Sequence, residues 1–235
     1  MLVCLPARVH YKYPLSLPHV TIFDAVPLSQ AQRVFLLNLA RAALLEKLMR
    51  GDGAAEAAAA AGVAATGDAA KASEVDAPTS DPALVASAGC FVSLHEKQTH
   101  RLRGCVGRLD PELPLWRVVR ETAADVLRDP RFTDMPVTAA DVTILELEIS
   151  VLSPPRQAVS PLDFEPVTDG IYLIHGSRSG FFLPQVARDT GWSKQQLLNR
   201  LCEEKLGLPH DAWQKAEAKL FTFKVEVIGP EPVSE

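Results

Sequence analysis

The chain has 235 residues and a formal net charge of −5, with 47% hydrophobic and 23% charged residues. These values are typical of a soluble globular protein with one domain or two small subdomains around a core. The negative balance argues against a general nucleic-acid binder, whose surface would be basic. No stretch approaches the roughly 18 uninterrupted apolar residues of a membrane span. The N-terminus lacks the pattern of a signal peptide. We therefore expect neither a membrane nor a nucleic acid as a partner.

The four cysteines are scattered along the chain, at Cys4, Cys90, Cys105 and Cys202, and none forms a CxxC pair. This spacing fits neither a disulfide framework nor a zinc ribbon. The cysteines are therefore predicted to be reduced thiols, which indicates a cytoplasmic or nuclear protein.

The first predicted helix follows an N-terminal extension of residues 1–27, which is rich in proline and apolar residues. Ser29 and Gln32 form a capping-box pattern, and Gly51 ends the apolar periodicity, so the spacing predicts a helix over 30–50. Its core-facing positions are predicted to be Val34, Leu37, Ala40 or Arg41, Leu44 and Leu48.

An alanine-rich segment interrupts the chain over residues 51–82. Repeated glycine and proline break its helical tendency, and it offers almost no large apolar side chain to bury. Such a segment does not offset its ordering entropy, so we expect a disordered insertion.

The rest of the chain mixes strands and helices. GCFVSLHE and THRLRGCVGRL predict a hairpin, and residues 114–128 predict a helix. DVTILELEISVLSPP (141–155) predicts a long alternating strand whose core face holds Thr143, Leu145, Leu147, Ile149 and Val151. A second hairpin (GIYLIH and GFFLPQ), a helix from Ser193 to Gly207 and a strand ending at Ile228 follow, with 230–235 as a tail. The absence of a regular βαβ rhythm predicts the α+β class, with a mixed, largely antiparallel sheet and flanking helices.

Six stretches in this order resemble the AMMECR family, named for the Alport syndrome, midface hypoplasia and elliptocytosis chromosomal region. They are LRGCVG (102–107), DPRF (129–132), EISVLSPP (148–155), FLPQVA (182–187), GW (191–192) and CEEKLGLPHDAW (202–213). The resemblance covers about residues 29–228, so the domain is predicted over 28–229 with the insertion inside it.

This resemblance implies an α+β fold of a larger and a smaller subdomain, with a cleft near the RGCVG stretch. It also implies a cytosolic or nuclear protein, and microbial relatives are associated with Memo-type and radical-SAM proteins as partners. The family's biochemical activity is not established, so the resemblance implies a fold and a site and no reaction.

The stretch RLRGCVGRL (101–109) carries the candidate site. Strand alternation predicts that Arg101, Arg103 and Cys105 point the same way, and guanidinium groups near a sulfur favour the thiolate. Gly104 and Gly107 leave the backbone open, so their amides are candidates to receive an anionic oxygen. The opposing interpretation is a small buried cysteine between closely packed strands, with its arginines paired to carboxylates elsewhere.

Other chemistry near Cys105 has less support in the sequence. Cys90, His95, His100 and Cys105 are five residues apart, but odd spacing on strands places them on alternating faces, so no metal site and no cofactor is predicted. Glu148 belongs to a stretch that resembles the family, and it is our candidate partner for Arg103.

Two functional hypotheses follow. The first is a binding or regulatory protein in which Arg103, Gly104, Cys105 and Gly107 receive an anionic small molecule or protein segment. The second is an enzyme in which Cys105 is the nucleophile or redox centre, with Glu148 or His175 assisting.

Overall fold

The computed structural model describes residues 27–50, 80–109 and 113–234. The N-terminal extension and most of the predicted insertion lie outside the described residues. The described chain divides into two compact units, one formed by residues 151–226 and the other by residues 27–150 and 227–234. The fold is α+β with a largely antiparallel sheet, as predicted.

Helices and strands alternate irregularly along the described chain. The helices are α1 (Gln30–Arg50), α2 (Pro82–Val85), α3 (Leu115–Asp125), α4 (Pro184–Thr190) and α5 (Lys194–Arg200). The strands are β1 (Gly89–Glu96), β2 (Leu102–Arg108), β3 (Leu145–Leu152), β4 (Arg156–Gln157), β5 (Asp169–His175), β6 (Arg178–Phe182) and β7 (Ala218–Pro232). The strands are hydrogen-bonded in the order β2-β1-β3-β7-β5-β6, and β4 also pairs with β7.

Helix α1 begins as predicted, because the Ser29 amide donates to Gln32 Oε1 at 2.7 Å and the Gln32 amide donates to Ser29 Oγ. Its buried face agrees with the prediction at Ala40 and Leu44 and differs at the other positions. Val34 is 43% exposed, and the buried positions are Leu36, Leu39, Ala40, Ala43 and Leu44. Leucines occur on several sides of this helix, so apolar periodicity alone did not single out the face that packs.

The last residues of the predicted insertion are part of the fold. The Asp81 carboxylate caps α2 by accepting from the amides of Ala83 and Leu84. It also accepts from Gln32 Nε2 at 3.0 Å. Residues 81–82 therefore belong to the folded domain, because Asp81 ties α2 to the first turn of α1.

Strands β1 and β2 form the predicted antiparallel hairpin. Helix α3 buries Leu115, Val118, Val119, Thr122 and Ala123 along one face and continues as a 3₁₀ turn over Val126–Arg128. The predicted helix end before Pro130 is confirmed.

The prediction of a strand from residue 141 is wrong at its start. Residues Ala139–Ile144 form a 3₁₀ helix, and β3 begins only at Leu145. Asp141 Oδ2 accepts from both the amide and the hydroxyl of Thr138, which closes a capping box. Thr143, predicted to face the core, is exposed. The local cap outweighs the strand periodicity of this segment.

Residues 151–226 form the other unit. Strands β5 and β6 form the predicted hairpin, and β5 also pairs with β7. The Ser193–Gln196 capping box begins α5, whose last turn widens into a π-helix over Leu201–Leu206 before Gly207 (φ 62°) ends it. A core of apolar side chains from these elements includes Phe164, Leu173, Leu198 and Trp213.

Strand β7 runs four residues beyond the predicted end at Ile228. Val233, which the sequence placed in a tail, is fully buried, and its amide donates to the Leu145 carbonyl at 3.0 Å. Arg41 donates from Nε and Nη2 to the Pro232 carbonyl. Residues 230–234 of the predicted tail are therefore part of the unit that contains α1 and most of β3.

Candidate functional site

The predicted site lies on β2, at the edge of the sheet, where the pairing with β1 is irregular. Cys105 lies opposite Ser93 and Gly104 opposite Leu94, but His95 already pairs with Leu102. Arg103 is thus the extra residue of a β-bulge. Bulges redirect a side chain and occur often near functional sites.

The bulged Arg103 side chain is only 5% exposed and lies against two carboxylates. Its Nη1 donates to Glu96 Oε1 at 3.1 Å, and its Nη2 lies 3.6 Å from Asp141 Oδ2. Arg101 also donates to Glu96, so Arg101 and Arg103 reach the same carboxylate.

The pKa values of both carboxylates are lowered. Hydrogen bonds from Arg101, Thr99 and Arg103 outweigh the opposing effect of burial and lower the pKa of Glu96 to about 2. Burial raises the pKa of Asp141, but hydrogen bonds from Thr138 and the charge of Arg103 lower it further than burial raises it. Both groups are therefore ionised at neutral pH. Glu96 accepts charge-assisted hydrogen bonds from Arg101 and Arg103, and Asp141 forms an ion pair with Arg103 at 3.6 Å.

A second pair, Asp129 and Arg131, holds the backbone of Cys105. The Cys105 amide donates to Asp129 Oδ2 at 2.9 Å, and the Cys105 carbonyl accepts from Arg131 Nη2 at 2.8 Å. Arg131 also donates to both Asp129 oxygens. The Asp129–Arg131 pair therefore occupies both backbone groups of Cys105 on the edge strand β2, in place of the hydrogen bonds that another strand would make.

Asp129 is buried, yet its carboxyl group stays ionised at neutral pH. Burial raises the pKa of Asp129, but the hydrogen bonds from Arg131 and from the Cys105 amide lower it below its usual value. Because Asp129 also caps the 3₁₀ turn Pro130–Phe132 through the Arg131 amide, a single carboxylate fixes the turn and the strand together.

Two guanidinium nitrogens at this site remain unsatisfied. Arg103 Nε and Arg131 Nη1 are buried, and neither has a hydrogen-bond partner within the described residues. A buried donor without an acceptor is costly and uncommon in native proteins. Arg103 lies on β2, two residues before Cys105, and Arg131 donates to the Cys105 carbonyl.

The structure gives both predicted glycines a packing requirement. A Cβ on Gly104 would lie 2.8 Å from the Val126 carbonyl oxygen, and one on Gly107 would lie 2.2 Å from the Phe91 ring. The missing side chain of Gly104 lets the turn that follows α3 approach β2, and that of Gly107 lets β1 approach β2. This packing requirement does not depend on what the two amides bind.

Cys105 is 3% exposed. Cys90 and Cys202 are free and buried, and burial raises the pKa of Cys90 to about 12 and also raises that of Cys202. The prediction of reduced thiols is therefore confirmed for Cys90 and Cys202.

The predicted partners of the arginine and the thiol are placed differently. The carboxylates that form ion pairs with Arg103 are Glu96 and Asp141. Glu148, the predicted partner of Arg103, is half-buried on β3. His175 ends β5, in the 151–226 unit, in register with Arg178 and Ala218. His100 Nδ1 lies 3.5 Å from Glu146 Oε1.

Among residues 27–50, 80–109 and 113–234, no cluster of three or more His, Cys, Asp or Glu side chains has the arrangement of a metal site. In the same part of the chain, no helix is long and apolar enough to cross a bilayer.

Sequence reasoning missed the acidic half of this site. Glu96 and Asp141 come from segments other than that of Arg103, and Asp129 lies 24 residues from Cys105, so the fold brings these carboxylates to β2. Asp129 and Arg131 are neighbours within the DPRF stretch. The DPRF stretch did carry a signal, because it was one of the stretches that resembled the family. It was interpreted only as a helix end.

The fold and the site define a class of protein: an α+β domain whose edge strand RGCVG is held by a DPR turn. The AMMECR1 family model matches residues 39–228, and the chain belongs to this family. The resemblance seen in the sequence is thereby confirmed.

Similar proteins occur in archaea and in the bacterium Aquifex aeolicus. Protein MJ0810 of Methanocaldococcus jannaschii is 34% identical over 146 residues, which cover 59% of this chain and 71% of that protein. Protein PH0010 of Pyrococcus horikoshii is 32% identical over 208 residues, or 84% of this chain and 89% of that one. The crystal structure of PH0010, described as an uncharacterized protein, superposes with a TM-score of 0.64 at 31% identity over 82% of this chain and 88% of that chain.

Proposed function

We propose that this chain is a binding or regulatory protein that recognises an oxyanion, a carboxylate or phosphate group on a small molecule or a protein segment, at the RGCVG strand. The binding donors are Arg103 and Arg131, on β2 and on the DPR turn that holds it. The observation that carries the proposal is the pair of buried, unsatisfied donors, Arg103 Nε and Arg131 Nη1.

An oxyanion suits these donors because it offers several lone pairs to a guanidinium group, which presents five N–H donors in a fixed plane. Glu96 accepts from Arg103 and Asp129 accepts from Arg131, so each carboxylate fixes the orientation of one guanidinium plane. A ligand oxygen would then complete the hydrogen bonding of groups that are already oriented, with little further loss of side-chain entropy.

The site attracts a ligand by the direction of its donors more than by net charge. Arg101, Arg103 and Arg131 are matched by Glu96, Asp129 and Asp141, so the cluster is neutral. The sequence predicted an electropositive strand, and the neutral cluster differs from that prediction. Binding should therefore depend weakly on ionic strength, because salt screens long-range attraction more than buried hydrogen bonds.

Thermal unfolding in the presence of oxyanions tests the proposal. A ligand that binds the folded state raises the melting temperature with its concentration. We expect inorganic phosphate, or the dicarboxylate glutarate, to raise it beyond the effect of sodium chloride at equal ionic strength. Arg103→Lys keeps a cation beside Glu96 but loses Nε, so its response should be absent. Arg108→Lys, on the same strand, is the matched control and should respond like the wild type. Equal responses of the two variants, or no response to either oxyanion, would refute the site.

The enzyme hypothesis predicts the opposite pattern. Catalysis by Cys105, assisted by Glu148 or His175, should be abolished by Cys105→Ser while affinity persists. Oxyanion binding should instead survive Cys105→Ser and fail in Arg103→Lys. The burial of Cys105 favours the binding proposal, because a nucleophilic thiol must be accessible.

A further inference from the structure

A groove separate from β2 lies between α1 and α3. Its volume is about 540 Å³, within the range of ligand-binding clefts. Ala43, Glu46, Lys47 and Arg50 lie three or four residues apart on one face of α1. Trp116, Arg117, Arg120 and Ala124 form the opposite wall on α3. Residues at this spacing share a helix face, so two rows of side chains border one depression.

The groove is positively charged on a negatively charged protein. Its walls carry Lys47, Arg50, Arg117 and Arg120 against Glu46 and Glu121, a net charge of +2, whereas the whole chain carries −5. The guanidinium groups remain accessible, with side chains 73%, 54% and 43% exposed for Arg50, Arg117 and Arg120.

The two carboxylates orient the arginines without neutralising the groove. Arg50 Nη2 lies 2.7 Å from Glu46 Oε1, and Arg117 Nε lies 3.0 Å from Glu121 Oε1. Arg120 is held more loosely, at 3.9 Å from Glu46 Oε2. Between these cations, the half-buried indole of Trp116 supplies an apolar surface with one hydrogen-bond donor.

We propose that the groove lined by Lys47, Arg50, Trp116, Arg117 and Arg120 binds an acidic peptide segment of a partner protein, with one of its apolar side chains against Trp116. The eight residues from Ala43 to Arg50 span about 10 Å of helix, which matches about three residues of an extended peptide. The contact is therefore short, and it fits a weak, transient interface that is steered by charge.

A peptide fits this surface better than a nucleic acid does. Nucleic-acid sites are much more positive than protein interfaces, and a continuous phosphate backbone would be repelled by Glu46 and Glu121. An acidic peptide presents its carboxylates at separated points, so it can contact the arginines and avoid the two glutamates.

The indole N–H signals in ¹H–¹⁵N spectra of the full chain give a direct test. The probe is a short capped peptide of glutamates around a central leucine pair, and the control peptide has lysines in place of the glutamates. The Trp116 signal, assigned with Trp116→Phe, should shift with the acidic peptide only. Trp192 and Trp213, both in the 151–226 unit, serve as internal references.

Charge reversal on α3 tests the contact. Arg117→Glu combined with Arg120→Glu should weaken acidic-peptide binding at least about tenfold. Arg188→Glu combined with Lys215→Glu changes the net charge equally at exposed positions of the 151–226 unit, so affinity should hardly change. The response at Trp116 should also persist in Arg103→Lys, which separates this groove from the site on β2.

The proposal would be overturned by an unmoved Trp116 signal, by an equal loss of peptide affinity in both charge-reversed pairs, or by an equal Trp116 shift with the lysine peptide. A larger Trp116 shift with a short DNA duplex at the same salt concentration would also overturn it. Binding that appears only after residues 51–79 are replaced by a glycine–serine linker would also contradict it. That result would assign the groove to a segment of this chain, whose charged residues are Asp52, Glu56, Asp68, Lys71, Glu74 and Asp76.

Discussion

Replacing Asp129 by alanine should destabilise the domain far more than a typical surface substitution. The carboxylate accepts four hydrogen bonds, one from the Cys105 amide and three from Arg131. Its loss leaves a buried amide without an acceptor, which costs about 1–3 kcal/mol, and removes charge-assisted bonds worth about 1.5–3 kcal/mol. The expected decrease in the free energy of unfolding is therefore about 3–5 kcal/mol, as for other broken buried ion pairs.

Urea unfolding of Asp129→Ala beside Asp125→Ala checks this value. Asp125 is 53% exposed and lies 3.7 Å from Arg108, so its replacement should cost less than about 1 kcal/mol. The carboxylate contribution should also depend on pH. Because the pKa of Asp129 is lowered in the folded state, its stabilisation is complete above the unfolded value of about 3.9 and is lost as the pH falls below it. A cost below about 1 kcal/mol for Asp129→Ala would refute the role of this carboxylate in holding β2.

Three further substitutions test packing and charge in the same unit. Gly107→Ala places a Cβ 2.2 Å from the Phe91 ring and should cost about 1–3 kcal/mol in urea unfolding; an unchanged stability would show that the strands can separate freely. Glu96→Gln should lower the free energy of unfolding at neutral pH. The difference in free energy from the wild type should shrink as the pH falls from about 4.5 towards 2, because the folded carboxylate has a pKa of about 2. A difference that grows on acidification would contradict the ion pairs. Val233→Ala should cost about 2 kcal/mol because Val233 is fully buried, whereas Val227→Ala, at 37% exposure, should cost less than about 0.5 kcal/mol; equal values would mean that the C-terminal residues do not pack.

Much of the fold follows from local sequence signals. The capping boxes at Ser29 and Ser193 and the helix end before Pro130 were predicted correctly, because each depends on residues within four positions. The errors arose where tertiary contacts decide. Val34 was assigned to the core face of a helix with leucines on several sides, and Val233 was assigned to a tail although it is buried and its amide bonds to the start of β3.

The site was predictable only in part. The sequence placed Arg103 and Cys105 together, because they are neighbours on one strand. It did not reveal the bulge at Arg103, since a bulge is a property of the pairing between β1 and β2. Nor did it reveal Glu96 as the group that holds Arg103, because this contact forms only when β1 and β2 pair. It also did not reveal Asp129 as the acceptor of the Cys105 amide, because that bond forms only when the DPR turn meets β2.

The most direct test of the oxyanion site is the Arg103 Nε–H signal in ¹H–¹⁵N spectra, followed during titration with inorganic phosphate at constant ionic strength. Loss of this signal in Arg103→Lys assigns it, and the Arg108 Nε–H signal on the same strand is the reference. We predict a saturable shift of the Arg103 signal that persists in Cys105→Ser while the Arg108 signal stays in place. An unmoved Arg103 signal up to about 10 mM phosphate, where even millimolar binding would be evident, would contradict the assignment of β2 as an oxyanion-binding strand.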